Sequence, residues 1–227
     1  MTEQADRERL RETARALEEL TQQLVFVGGG VTSLLITDAA ATPPRFSNDV
    51  DAIVRTARTG FAAIEARLRQ LGFSQQAQEP VCRWFKDTLI LDVMPDDANV
   101  LGFSNRWYAG AIDHANTIAL DGIEVRVISP PWFLGTKLEA FAGRGKGDFL
   151  GSRDIEDIVV LVDGRAELAR EVRACPEPLN EYVRSVLGRF LESKAFVASV
   201  IGHLAGDNER AWLVIERMRM IAAGRED

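Results

Sequence analysis

This sequence predicts an α+β chain, and three observations predict it. Short β-rich runs bounded by turn residues recur between Leu24 and Ile128. Segments with apolar residues at helical spacing lie around and between them. Beyond Pro176 and Pro178 the periodicity is helical throughout. The expected division is a strand-bearing domain with an N-terminal helix over 1–165, and a helical C-terminal subdomain over 166–227.

Composition narrows the class. The 227 residues are 46% hydrophobic and 27% charged, ordinary for a globular protein. No run approaches the roughly 18 to 20 apolar residues of a membrane span. The charged N-terminus lacks the apolar core of a secretory signal, so a cytoplasmic protein with no membrane partner is expected. Cys82 and Cys175, two and far apart, suggest reduced thiols. Two histidines and no CxxC argue against structural zinc. The formal net charge of −7 means that any nucleic-acid contact needs a local basic patch.

Taken in order, residues 3–23 read as an amphipathic helix with Leu10, Leu17, Leu20 and Leu24 on one face. Leu24 to Val27 is a short buried strand, ended by Gly28, Gly29 and Gly30. Val31 to Thr37 is expected to be helical. A glycine turn feeding a helix offers backbone N–H groups to a phosphate, and Thr32 and Ser33 add hydroxyl donors. The same glycines also suit a turn with no ligand.

Ala39 to Phe46 is a loop holding Pro43 and Pro44. Ser47 to Val54 reads as a strand interrupted by Asp49 and Asp51. Residues two apart in a strand share a face, so the two carboxylates converge and call for a cation between them. The alternative is a solvated turn. Residues 59–71 form a helix stopped by Gly72. Val81 to Lys86 and Thr88 to Met94 pair as a hairpin about Asp87, which brings in Asp92 from an apolar run. A carboxylate there is costly unless paired or metal-bound, so Asp92 is the third acid of the site, or else faces solvent beside Thr88.

Residues 96–117 are expected to be mixed loop; Trp107 and Tyr108 suit a base-stacking surface or the core, and His114 a structural role. Thr117 to Leu120 and Ile123 to Ile128 form a hairpin about Asp121-Gly122. Ser129-Pro130-Pro131 starts a helix running to about Ala142. It carries Lys137 among Trp132, Phe133, Leu134, Leu138 and Phe141, either as a site cation or snorkelling at the surface. Residues 143–148, with Arg144 and Lys146, form a basic loop suited to triphosphate or acceptor contact, or a plain connection. Ser152 to Val162 is a helix with Gly164 as its stop; Tyr182, Val186, Phe190 and Leu191 suggest one later helix, and Trp212, Ile215, Met218 and Ile221 another.

These residues together resemble the DNA polymerase β nucleotidyltransferase superfamily, and within it the AbiEii/AbiGii-type toxin nucleotidyltransferases related to the mycobacterial MenT toxins. The superfamily pattern is matched by Gly28 to Gly30 with Thr32 and Ser33, then Asp49-Val50-Asp51, then Asp92. The narrower match is Arg45-Phe46-Ser47-Asn48-Asp49-Val50-Asp51, followed by the Lys137 helix and Ser152-Arg153-Asp154-Ile155-Glu156-Asp157. The likeness covers roughly 24–162. It departs where the family's Lys-Asp pair is replaced by Lys146-Gly147-Asp148 and Arg153-Asp154.

The resemblance implies a mixed-sheet nucleotidyltransferase core flanked by helices, with a helical C-terminal region. Asp49, Asp51 and Asp92 would bind Mg²⁺ or Mn²⁺. The glycine turn with Thr32 and Ser33 would hold the NTP phosphates, Lys137 would be the catalytic side chain on the triphosphate, and Arg144 and Lys146 would assist. The expected reaction moves an NMP from an NTP to an acceptor hydroxyl, on tRNA if the toxin likeness extends that far, with a cognate antitoxin as partner. A protein or antibiotic acceptor, or an inactive antitoxin-like binding module, are the alternatives.

Overall fold

Four apolar residues, Leu24–Val27 (β1), lie inside the sheet and are buried along their whole length. Such a strand reads as continuous rather than alternating hydrophobicity because both its faces are covered. Val50–Val54 (β2) pairs with it antiparallel, and beside β2 runs Leu89–Pro95 (β4) in parallel. Arg83–Lys86 (β3) closes that edge as the hairpin partner of β4. On the other side, Ile123–Val127 (β6) is parallel to β1, with Asn116–Leu120 (β5) outermost. The order β3-β4-β2-β1-β6-β5 makes a mixed six-stranded sheet, and with its helices the fold is α+β as expected. This computed structural model describes residues 2–145 and 147–225.

Thr2–Leu17 (α1) packs Leu10, Ala14 and Leu17 against the sheet. The α-helix stops short of the predicted residue 23. Glu18 takes a φ of 51°, and Glu18–Gln23 winds as a 3₁₀ segment that delivers Leu24 into β1. After the glycines, Gly29–Val31 is a 3₁₀ turn and Thr32–Leu35 (α2) a single helical turn, shorter than the predicted 31–37. Arg58–Gln70 (α3) buries Phe61, Ile64 and Leu68, and Gly72 at φ 87° ends it as expected. The segment predicted as mixed loop holds two short helices, Ala98–Leu101 (α4) and Tyr108–Asp113 (α5). Trp107 is buried, and the His114 ring contacts the Gly110 carbonyl. The hairpin at Asp121-Gly122 has φ values of 47° and 85°, the signature of a type I′ turn.

The chain divides into two units. The first comprises residues up to Leu34 and Arg45–Ser129; the second comprises Leu35–Pro44 and the chain from Pro130 onward. Pro130–Arg144 (α6) and Arg153–Gly164 (α7) thus group with Leu168–Arg173 (α8), Glu177–Glu192 (α9), Lys194–His203 (α10) and Asn208–Ala223 (α11), whereas the sequence suggested a division near 165. The reason lies in α7. Ile155, Ile158, Val159, Val160, Leu161 and Val162 are all buried, as are Asp154, Asp157 and Asp163, and a helix covered on nearly every side needs helices around it. Gly164 does not stop α7 through a left-handed φ; its missing side chain makes room for Ile36, whose Cγ2 would lie 2.5 Å from an added Cβ. Trp212 is 53% exposed, because the buried stripe of α11 runs through Ala211, Val214, Ile215, Met218 and Ile221. Among the described residues, no helix is long and apolar enough to cross a membrane.

Candidate active site

The first unit assembles its acids through strand register. Arg83 of β3 is the antiparallel partner of Asp92 on β4, Asp92 the parallel partner of Asp51 on β2, and Asp51 the partner of Val27 on β1. Cross-strand partners project to the same face, so Arg83, Asp92 and Asp51 form one row across the sheet. At the end of that row β1 gives way to Gly28, with φ 73° and ψ −172°. A Cβ added to Gly28 would lie 1.9 Å from Asp51 Oδ2. Glycine is therefore required twice here, by conformation and by contact.

Asp49 reaches the row differently from the predicted strand pairing. The strand begins at Val50, not Ser47, so Asp49 lies in the bend before it. The Ser47 hydroxyl donates to Asp49 Oδ1 at 2.8 Å, and Arg9 Nη1 donates to the Asn48 carbonyl at 2.9 Å. Such side-chain bonds compete with a sheet ladder and explain the late start. Arg9 also sits over the Phe46 ring, 5.0 Å from its centroid, which ties the loop further to α1.

The groups converge on Arg83, which the sequence reading did not select. Its Nε donates to Asp92 Oδ1 and its Nη2 to Asp92 Oδ2, each at 2.8 Å. The same Nη2 reaches Asp49 Oδ2 at 2.8 Å. The Asp92 hydrogen bonds above all hold the guanidinium charged, raising it well above its ordinary value against the cost of burial. The signal was present in the sequence: Arg83 and Asp92 are equally distant from a two-residue Asp87-Thr88 turn, so hairpin register about that turn sets them opposite each other.

No group of three or more His, Cys, Asp or Glu side chains among the described residues is arranged to hold a metal ion. The donor chemistry nevertheless suits a hard divalent cation: carboxylate oxygens of Asp49 and Asp92 meet on Arg83, which stands where a cation would lie, and strand register sets Asp51 beside Asp92. Gly30 passes close to this loop, an added Cβ falling 3.3 Å from the Asp49 carbonyl oxygen. Thr32 and Ser33 are buried, their hydroxyl oxygens without a hydrogen-bond partner among the described residues. With only one turn in α2, any phosphate site at Gly28 to Gly30 would draw on local amides and these hydroxyls more than on a helix dipole.

The remaining predicted site residues belong to the second unit. Lys137 is buried, not snorkelling, with Nζ 2.6 Å from Asp157 Oδ2 and 3.5 Å from Asp154 Oδ1. Arg144 is the last residue of α6 rather than part of a loop, and chelates Asp154 through Nε at 2.9 Å and Nη2 at 2.8 Å. Burial alone would push the Asp154 carboxyl up; the Arg144 hydrogen bonds and the Lys137 charge together outweigh it and hold the group below its ordinary value. Lys146 lies outside the described residues.

One buried acid sits beside the Asp49 loop. Asp6 of α1 is 2% exposed, and burial pushes its carboxyl up to about 6, only partly offset by the Ser47 amide and the Arg9 and Arg45 charges. A folded value above the ordinary 3.8 means that Asp6 favours folding fully below that value and loses this contribution as pH rises through 6. Asp6→Asn should therefore stabilise the protein at pH 7.5 by about 2 kcal/mol, and the gain should vanish by about pH 4. Denaturant unfolding at both pH values checks this; a gain independent of pH would refute it.

Among solved structures, the chain is similar to that of an antigenic nucleotidyltransferase-like protein from Paracoccidioides brasiliensis. The TM-score is 0.51 at 16% identity, over 80% of this chain and 88% of that one. At this identity the likeness shows the fold, which is nucleotidyltransferase-like. No protein-family model and no curated protein matches the chain.

Proposed function

We propose that the protein is a metal-dependent nucleotidyltransferase that moves an NMP from an NTP to an acceptor hydroxyl. The observation that carries this reading is the in-register row of Asp51 and Asp92, joined by Asp49 and set against the Gly28 turn. Asp49, Asp51 and Asp92 would hold Mg²⁺ or Mn²⁺, which supplies neutralisation of the charge developing around the α-phosphate. The amides of Gly28 to Gly30 and the hydroxyls of Thr32 and Ser33 would hold the outer phosphates; those two unpartnered buried hydroxyls support this role. Asp92 would orient the acceptor hydroxyl and take its proton as the oxygen bonds to the α-phosphorus. The bond from that phosphorus to the bridging oxygen breaks, and pyrophosphate leaves with the electron pair.

For the acceptor, the motif likeness to toxin nucleotidyltransferases favours the 3′ end of tRNA, with a cognate antitoxin as partner and the cytoplasm as location. The net charge of −7 keeps protein and small-molecule acceptors as the comparison arms. A second reading, an inactive binding module of the same fold, is favoured by one observation: Arg83 already neutralises two of the three acids.

The test is transfer from each labelled NTP with Mg²⁺ to total tRNA or to cell extract. Label transfer by the wild type that falls to background in Asp51→Asn is the expected result. Absence of both transfer and Mg²⁺-dependent NTP binding would leave the binding module. Parallel Lys137→Ala and Arg144→Ala arms test the roles that the sequence suggests for those residues.

A further inference from the structure

We propose that Arg83 is the resident cation of the acidic row, holding Asp49 and Asp92 when no metal is bound and yielding its place when a divalent cation enters. The inference rests on the metal-dependent reading above, but concerns how the site is kept before loading. Carboxylates gathered at one point repel unless a positive charge lies between them. Arg83 meets that need for Asp49 and Asp92 at once, through three contacts of 2.8 Å. The pairing is built in rather than incidental. Hairpin register fixes Arg83 opposite Asp92, so the guanidinium arrives with the same strand pair that delivers the acid. Its side chain is 24% exposed and that of Asp92 11%, which limits screening by solvent.

The consequence is competition. The carboxylate oxygens that would ligate the metal are those that accept from Arg83, so a cation must break these contacts before it can take full hold. Loading then couples to release of an arginine beside the site. This differs from an ordinary structural salt bridge, whose loss would weaken the geometry of the site and lower affinity for metal. Arg83 as a competing cation predicts the opposite sign.

Mn²⁺ binding, followed by paramagnetic resonance of the free ion, separates the two, using the full chain as wild type, Arg83→Gln, Arg83→Lys and Asp51→Asn. Arg83→Gln should bind Mn²⁺ at least about tenfold more tightly than wild type, since one competing positive charge is removed from the ligand set. Its thermal unfolding temperature should be lower than that of wild type without Mn²⁺ and should rise more than wild type's at saturating Mn²⁺. Should Arg83→Gln fail to fold without metal, Arg83→Lys, which keeps the charge but loses the two-nitrogen grip on Asp92, should show a smaller gain in affinity. Binding by wild type that is lost in Asp51→Asn, with no gain in either Arg83 variant, overturns the role of Arg83 while leaving the metal site standing. No Mn²⁺ binding by wild type or by the Arg83 variants overturns both.

Discussion

Replacing Asp157 by alanine is expected to cost about 3 to 5 kcal/mol of folding stability, the range for breaking a buried ion pair from one side. Lys137 Nζ lies 2.6 Å from Asp157 Oδ2, and the two side chains are 9% and 2% exposed. Removal of the carboxylate leaves the ammonium inside the α6–α7 packing with its closest negative partner gone. Asp154, 3.5 Å away, is already engaged by two nitrogens of Arg144. Removing Arg144 should cost less, because its own side chain is 71% exposed and Lys137 stays beside the buried Asp154 carboxylate when it is gone. The informative comparison is Lys137→Met combined with Asp157→Leu, which exchanges the pair for apolar groups and should recover most of the loss. Denaturant titrations of the two single variants and the double measure all three quantities. A cost below about 1 kcal/mol for Asp157→Ala would show that the pair is not held as described.

This cluster also marks where the sequence stops being legible. Lys137 sits in a helix whose neighbours are nearly all apolar, a pattern compatible with a snorkelling surface lysine. Its burial depends on α7 bringing Asp154 and Asp157 alongside, a tertiary event that helical periodicity does not encode. The strands were more readable, because short apolar runs between glycine and turn residues have few other uses. The adjacency of Asp51 and Asp92 was partly legible, since both are lone acids in apolar strands. The approach of Asp49 was misread as strand geometry, because the Ser47 hydroxyl and Arg9 fix the preceding bend instead. Arg83 becomes legible only through hairpin register, which sets it opposite Asp92; in the sequence alone it is one arginine in a β-rich run, with nothing local to mark it.

Gly28→Ala should be the most damaging single methyl group in the first unit, costing about 3 kcal/mol from two separable sources. The first is conformational: φ of 73° with ψ of −172° lies outside the regions that L side chains favour. The second is steric. The new Cβ would lie 1.9 Å from Asp51 Oδ2, 2.6 Å from Cγ and 2.8 Å from Cβ. Rotation about χ1 moves the first two atoms away but leaves Asp51 Cβ in place, because it is fixed to β2 by pairing with Val27 and Asp92. Either the turn backs away from the sheet or β2 shifts, and both displace a carboxylate of the proposed metal site. Mn²⁺ affinity should therefore fall together with stability. A double-mutant cycle divides the two sources. Asp51→Gly removes the obstructing Cβ, so Gly28→Ala made in that background should cost only the conformational part, about 1 kcal/mol. Equal costs in the two backgrounds would show that Asp51 does not pack on Gly28, and that the glycine serves the turn alone.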